Sequence, residues 1–294
     1  ANADIIVQEK SGVLLVPENH TRNTFYLRNV ATLEGILKQA GLSVRIGTLI
    51  PDITAPTRID LPDGSSLTLE PIVRTGNRVG LAGFDPCMVL LNNDLSAGPP
   101  AILQGIEQPI APPLAAGWYN RLKSHHFEAY HAVADEFGAL VGIDPWLIDP
   151  YFGVCGQIDF QERAGEECLA SNVDWLLKRI RARYDEYGLG EKLFVIVKAD
   201  AGTYGMGIMT VRDASEVQGL NRKQRNKMAV VKEGLEVTSV IIQEGVPTYE
   251  AINDAIAEPV VYMIDRYVVG GFYRVHASRG RDENLNAPGA EFVP

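Results

Sequence analysis

The sequence is short of several things, and each shortage narrows what the chain does. It holds no apolar run long enough to cross a bilayer, and its first residues lack the basic-then-apolar order of a secretory leader. Only three cysteines occur in 294 residues, Cys87, Cys155 and Cys168; the odd number and non-metal spacing read as free thiols of a reducing cytosol. Positive charge is also scarce. A net charge of −10 argues against an extended nucleic-acid surface, yet it leaves anionic small molecules open, because a few local cations suffice for those. These limits suit a cytoplasmic chain that handles small molecules, with no membrane and no nucleic acid as partner. The glycine-rich loop of note also lacks the order of a dinucleotide fingerprint or a Walker loop, both of which pass the chain to a helix whose N-terminus holds phosphate.

What is present suffices for a sizeable core: 46% of residues are hydrophobic and 22% charged, and the length suggests two or three domains. Residues 193–212 organise the rest. An apolar, β-branched run at 194–197 ends in Lys198, a loop carries Gly202, Thr203, Tyr204, Gly205 and Gly207, and a second run follows at 208–211. The loop therefore joins two strands. Glycines without a Cβ let backbone N–H groups approach phosphate oxygens, and Lys198 adds a point charge. In a protein kinase the lysine lies on the strand after the loop; here it comes before. The alternative is an ordinary hairpin with a glycine turn and a surface lysine.

In chain order, apolar runs at 5–16 broken by Ser11 and Gly12 precede capping residues Asn19, His20 and Thr21. Tyr26, Leu27, Val30, Leu33, Ile36, Leu37 and Ala40 then recur at helical spacing up to Gly41. Residues 44–50 read as a strand, and 59–61 and 67–69 as a hairpin around 62–66. A strand at 88–91 runs into Asn92, Asn93 and Asp94, a place where open α/β sheets bind ligands; the cluster suits an amino acid's ammonium or carboxylate, or simply makes the turn. After a proline-rich connection at 109–113, Phe127, Tyr130, Val133, Ala134, Phe137, Leu140 and Val141 mark one face of a helix. Arg121, Lys123, His125 and His126 at its start oppose the macrodipole, so an anion there would relieve the conflict and Lys123 becomes a second phosphate candidate. Adjacent histidines on a helix diverge and read as solvated. Arg22 and Asn23 are further carboxylate candidates beside the first helix.

Another amphipathic helix follows (Val173, Leu176, Leu177, Ile180, Tyr184), and a basic run at 219–227 reads as a solvated helix face. A strand at 237–243 passes into Gln243, Glu244 and Val246, whose backbone could meet an adenine edge. Residues 260–264 and 267–275 form a hairpin through Asp265 and Arg266, leading to a loop dense in cations and amides from Arg274 to Asn286. The last residues, 284–294, read as the lead-in to another element, and so as the sign of a missing C-terminal portion.

Taken together these segments resemble the ATP-grasp superfamily, and LLNNDLSAG, VKADAGTYGMGI, GLNRKQRNKMAVVKEGLEV and YRVHASRGRDENLNAPG resemble its proteobacterial glutamate–cysteine ligases, over essentially the whole chain. A weaker similarity runs to bacterial glutathione synthetase. The resemblance implies an α/β chain: an N-terminal α/β pre-ATP-grasp domain on the substrate side (1–115), followed by an ATP-grasp-like two-lobed domain. The latter comprises a helical linking part (116–190), a small lobe with the glycine flap (191–245) and the start of a C-terminal lobe (246–294). It implies ATP-dependent joining of the L-glutamate γ-carboxylate to the L-cysteine amine through an acyl phosphate, with ATP and Mg²⁺. Lys123 and Lys198 would hold phosphates under the 202–207 flap, Gln243, Glu244 and Val246 would meet adenine, and Arg274, Asn284 and Asn286 would attend the transferring phosphoryl group. Asn92, Asn93 and Asp94 stand as substrate candidates. The family's acidic metal ligands lie on later strands, so none is assigned. The alternatives are another carboxylate–amine ligase of the glutathione-synthetase kind and a nucleotide-binding module without catalysis.

Overall fold

The computed structural model of this chain describes residues 12–19, 23–202, 207–230 and 236–294. Thr203, Tyr204, Gly205 and Arg22 of the sequence candidates lie outside these residues, as do His20 and Thr21. The chain is α/β and divides into two compact units, Ala1–Asn120 and Arg121–Pro294.

The first unit is built on β1 (Gly12–Pro17), every residue of which is buried. Such continuous burial belongs to a parallel strand covered on both faces. Alternate side chains serve two cores. Val13 and Leu15 pack with Leu27 and Val30 of α1 (Thr24–Gln39) and with Val44, Ile46, Leu67, Leu69 and Met88. Leu14 and Val16 pack on the other face with Val79, Leu81, Val89, Leu91 and Leu103. The helix begins at Asn23, whose Oδ1 accepts from the Tyr26 amide at 3.1 Å. The cap is thus Asn23 rather than Asn19, and Ile36, expected on the buried stripe, is exposed.

After α1 come β2 (Ser43–Thr48), the antiparallel hairpin β3 (Thr57–Asp60) and β4 (Ser66–Pro71), the small ribbon β5 (Val73–Thr75) and β6 (Arg78–Gly80), then β7 (Met88–Asn92) and β8 (Ile110–Ala111). The main sheet has the order β3-β4-β2-β1-β7-β8, with β1 parallel to both β2 and β7. The chain leaves β1 in one direction for β2 and later takes up β7 on the other side. The strand order therefore reverses at β1, a switch point of the kind where open α/β sheets bind ligands beyond the carboxyl ends of their strands.

The second unit starts with α2 (Lys123–Val141), then β9 (Phe152–Gly156), α3 (Glu166–Tyr187), β10 (Val195–Ala199), β11 (Ile208–Val211), the short α4 (Ser215–Gln218), α5 (Arg222–Ala229) and β12 (Ser239–Glu244). Its antiparallel sheet is ordered β11-β10-β12-β9, so among the described residues β9, first in sequence, pairs with β12 only. One face carries the core: Val195, Val197 and Ala199 of β10 meet Leu169, Val173, Leu176 and Ile180 of α3 and Met228 of α5. The opposite face presents Ile196 and Lys198. The basic run is the helix α5, opened by a capping box between Asn221 and Gln224. A second sheet holds β13 (Ala251–Ile252), β14 (Ala255–Ile264), β15 (Tyr267–His276) and β16 (Glu291–Val293), with β14 and β15 joined by the Asp265–Arg266 turn, where Asp265 has φ 53°.

A further expectation fails. The apolar stripe of α2 is largely exposed: Val133, Phe137, Leu140 and Val141 face outward. The helix is buried through small side chains instead, Ser124, Ala134 and Gly138, because close approach to Pro145 leaves no room; a Cβ at Gly138 would sit 2.8 Å from that ring.

Candidate functional site

In the first unit the residues that end β1 and β7 are linked at this switch point. The Tyr26 hydroxyl accepts from the Glu18 amide (2.7 Å) and donates towards Asn92, 2.8 Å from its carbonyl and 3.1 Å from Oδ1. Asn93 Oδ1 takes the Leu95 amide at 2.8 Å, and Asp94 Oδ1 takes the Ser96 amide and hydroxyl at 3.0 and 2.8 Å. Through these bonds Asn93 and Asp94 shape the turn that follows β7. The residue that sequence reasoning passed over is Glu18, a buried carboxylate whose Oε1 lies 3.3 Å from the Asp94 amide. Its signal was its place, one residue beyond an unbroken apolar strand.

In the second unit, β10 delivers Lys198 to the end of its strand on the face away from the core. The ammonium donates to Gln243 Oε1 on β12 at 2.7 Å and lies 5.6 Å from the centroid of the Phe127 ring on α2. Burial pulls its pKa below the usual lysine value. Lys123, the first residue of α2, reaches the same place from another element. Its Nζ is 2.7 Å from the Ala199 carbonyl and 3.0–3.2 Å from those of Asp200, Ala201 and Gly202, the residues that enter the flap. Burial and the charge of Lys198 push its pKa down to about 8, with Asp200 opposing the shift. Gly202 and Gly207, at the two ends of the flap, have φ of 87° and 61°, values that glycine adopts without strain.

The anion expected at the start of α2 is supplied by the chain itself. Asp200, only 2% exposed, accepts from the Ser124 amide at 2.8 Å and the Ser124 hydroxyl at 2.7 Å, and its carbonyl takes the Lys123 amide at 3.0 Å. A carboxylate 76 residues away thus does what an N-cap residue does locally, since Leu122 has no side chain for the task. It also fastens α2 to the root of the flap. His125 and His126 on the same turn are exposed, and among the described residues no three potential metal-ligating side chains converge.

Along β12, Glu244 turns its carboxylate inward, where it accepts from Trp146 Nε1 and the Tyr151 amide, each at 3.0 Å. Burial raises its pKa, while those two donors and Arg183 pull the other way. The Tyr151 amide goes to the carboxylate and the Tyr151 carbonyl takes the Glu244 amide at 2.7 Å. Gly245 then passes against Phe194 so closely that a Cβ would lie 2.0 Å from the ring, and Val246 emerges exposed.

The cation-rich loop is less free than its composition suggests. Arg274 on β15 faces Glu258 directly across the ladder and pairs with it, although its Nε is buried without a partner. Arg279 pairs with Glu283 at 2.7 Å, and Arg281 donates to the Thr248 carbonyl at 3.0 Å and lies over Tyr249. Asn284 and Asn286 line a cavity of about 470 Å³ with Thr210, Lys227, Met228 and Arg279. Lys123, Lys198, Gln243 and the flap root are therefore brought together, Asn284 and Asn286 sit at the neighbouring cavity, and Arg274 makes its ion pair with Glu258 instead.

A family model described as glutamate-cysteine ligase matches residues 2–294. A solved structure from Methylobacillus flagellatus KT, provisionally named a gamma-glutamylcysteine synthetase, is 61% identical; the match covers 99% of this chain and 69% of that one, with a TM-score of 0.87. D-alanyl-alanine synthetase A from Vibrio cholerae O1 biovar eltor is similar over 98% of this chain and 74% of its own at 11% identity and a TM-score of 0.48. D-cycloserine synthetase DcsG is similar over 97% and 72% at 12% identity and a TM-score of 0.46. No curated protein matches the chain.

Proposed function

Because this chain belongs to the glutamate–cysteine ligase family and is a ligase, we propose that it joins the γ-carboxylate of L-glutamate to the amine of L-cysteine with cleavage of ATP. The observation that carries the nucleotide part is the meeting of Lys123 and Lys198 at the root of the glycine flap. Two ammonium groups whose charges oppose each other, both partly stripped of water, form a site that a polyphosphate stabilises by removing the repulsion. Gln243 holds Lys198 in position beside the root of the glycine loop. With the Tyr151 amide taken by its carboxylate, Glu244 keeps its carbonyl for an adenine amine, and the Val246 amide serves the adjacent ring nitrogen.

The glutamate γ-carboxylate then attacks the γ-phosphorus of ATP, giving an acyl phosphate and ADP, and the cysteine amine displaces inorganic phosphate. Such chemistry depends on alignment and charge neutralisation more than on covalent help from the protein. Arg274, with Asn284 and Asn286, is the group proposed to stabilise the transferring phosphoryl charge, which requires Arg274 to exchange Glu258 for the phosphoryl oxygens. The family resemblance extends to Mg²⁺, which would neutralise phosphate charge; no ligands are assigned to it, since no described cluster fits. Unit 2 is read as the ATP-grasp part, and Glu18 with Asn92, Asn93 and Asp94 as the substrate side.

The test is substrate dependence. Phosphate release from ATP should need glutamate and cysteine together. Release driven by γ-glutamylcysteine plus glycine, with cysteine inert, would move the assignment to a glutathione-synthetase-type ligase.

A further inference from the structure

Two of the three cysteines, unrelated by any sequence spacing, lie side by side. Cys155 is buried in β9, Cys168 is exposed in the first turn of α3, and their Sγ atoms are 3.5 Å apart. Asn172, one turn further along α3, donates from Nδ2 to the Cys168 carbonyl at 2.9 Å and points at both sulfurs, 3.1 Å from Cys155 and 3.4 Å from Cys168. A disulfide is ~2.05 Å long, so the sulfurs need to close by about 1.5 Å, a distance within reach of small side-chain rotations. Cys87 belongs to the other unit and has no sulfur partner among the described residues.

We propose that Cys155 and Cys168 are a modification site: an intramolecular disulfide, formed by a peroxide and reversed by a thiol reductant, that ties the start of α3 to β9. The roles follow from exposure. Cys168 meets solvent and is the attacking sulfur. Its thiolate takes one oxygen of hydrogen peroxide, an S–O bond forming as the O–O bond breaks, and the departing hydroxide accepts the thiol proton as water. Cys155 then attacks the sulfenic sulfur. The S–S bond forms, the S–O bond breaks, and the hydroxide released leaves as water with the Cys155 proton. Two thiols and one peroxide give one disulfide and two waters, the sulfurs losing the two electrons that the peroxide gains.

Burial and the adjacent sulfur hold the Cys155 thiol well above its usual pKa, with the Asn172 amide opposing them. That keeps Cys155 inert towards external oxidants and suits it to the second step alone. Because β9 pairs with β12, the bond secures the strand beside the one that carries Gln243 and Glu244.

The experiment is thiol mapping on the full chain. Reduced protein, freed of reductant, is treated with hydrogen peroxide, denatured, alkylated and digested without reduction. The expected result is loss of two alkylatable thiols, one linked peptide pair containing Cys155 and Cys168, and full recovery with dithiothreitol. Cys87→Ser should behave like the parent, and Cys155→Ser should leave Cys168 as a sulfenic acid that dimedone captures. Cys168 passing to sulfinic acid while Cys155 remains alkylatable would overturn the proposal, and so would a cross-link between two chains or one through Cys87. The mapping of the parent protein decides the matter even if a variant fails to fold.

Discussion

At the scale of single residues, the proposed phosphate site rests on the lysine pair. Lys198→Ala removes a charged donor to phosphate, an interaction worth ~1.5–3 kcal/mol, so nucleotide should bind about 10- to 100-fold more weakly by calorimetry with the fold retained. Unchanged affinity would remove Lys198 from the phosphate site. Lys123 adds a pH signature. With its pKa pushed down to about 8 in the free protein, it must be protonated to serve an anion, so ATP affinity should fall as pH rises through about 8. Lys123→Arg, which does not titrate in this range, should flatten the profile. The stability sign runs the opposite way. A lysine pKa lowered on folding means the unfolded chain binds more protons between about 8 and the ordinary value of 10.5, so this residue's contribution to stability grows across that window. Arg274→Ala should cost at least ~100-fold in turnover if it meets the phosphoryl group, whereas Glu258→Gln, which removes only its resting partner, should cost far less. Of the candidates, the positions of both lysines and of Gly202 and Gly207 were legible because each belongs to a strand end, a helix start or a turn. Asp200 and Glu18 were not: each owes its role to a partner more than 70 residues away, Ser124 in one case and Asp94 in the other.

At the scale of elements, punctuation was easier to read than burial. The β3–β4 and β14–β15 hairpins announced themselves through Pro62-Asp63-Gly64 and Asp265-Arg266, since turn chemistry is fixed by neighbours in the chain. The covering of α2 was not legible. Its apolar stripe has helical period, yet the contact is made by Ala134 and Gly138, and periodicity cannot say which neighbour comes close enough to prefer small side chains. Gly245 shows the same close approach where β12 leaves its sheet. Gly245→Ala forces the Phe194 ring aside and should destabilise the protein by ~1–3 kcal/mol in urea unfolding. Asp200→Ala strips the start of α2 of its distant cap, with an expected loss of ~1–2 kcal/mol.

At the scale of the molecule, the two units have separate cores, so they need not unfold together. Trp118 belongs to the first unit and Trp146 and Trp175 to the second. A protein in which both later tryptophans are replaced by phenylalanine should report a denaturant midpoint different from that of a Trp118→Phe protein; coincident curves would mean one cooperative transition. The second unit's sheet also has a bearing on how the protein is made. β9 leaves the ribosome early, but β12, its ladder partner among the described residues, follows only after β10, β11 and three helices. At ~5–20 residues per second this strand waits several seconds with its hydrogen-bonding edge open to other nascent chains. Slow translation between those two segments lengthens that exposure, and holdase chaperones have their clearest task there.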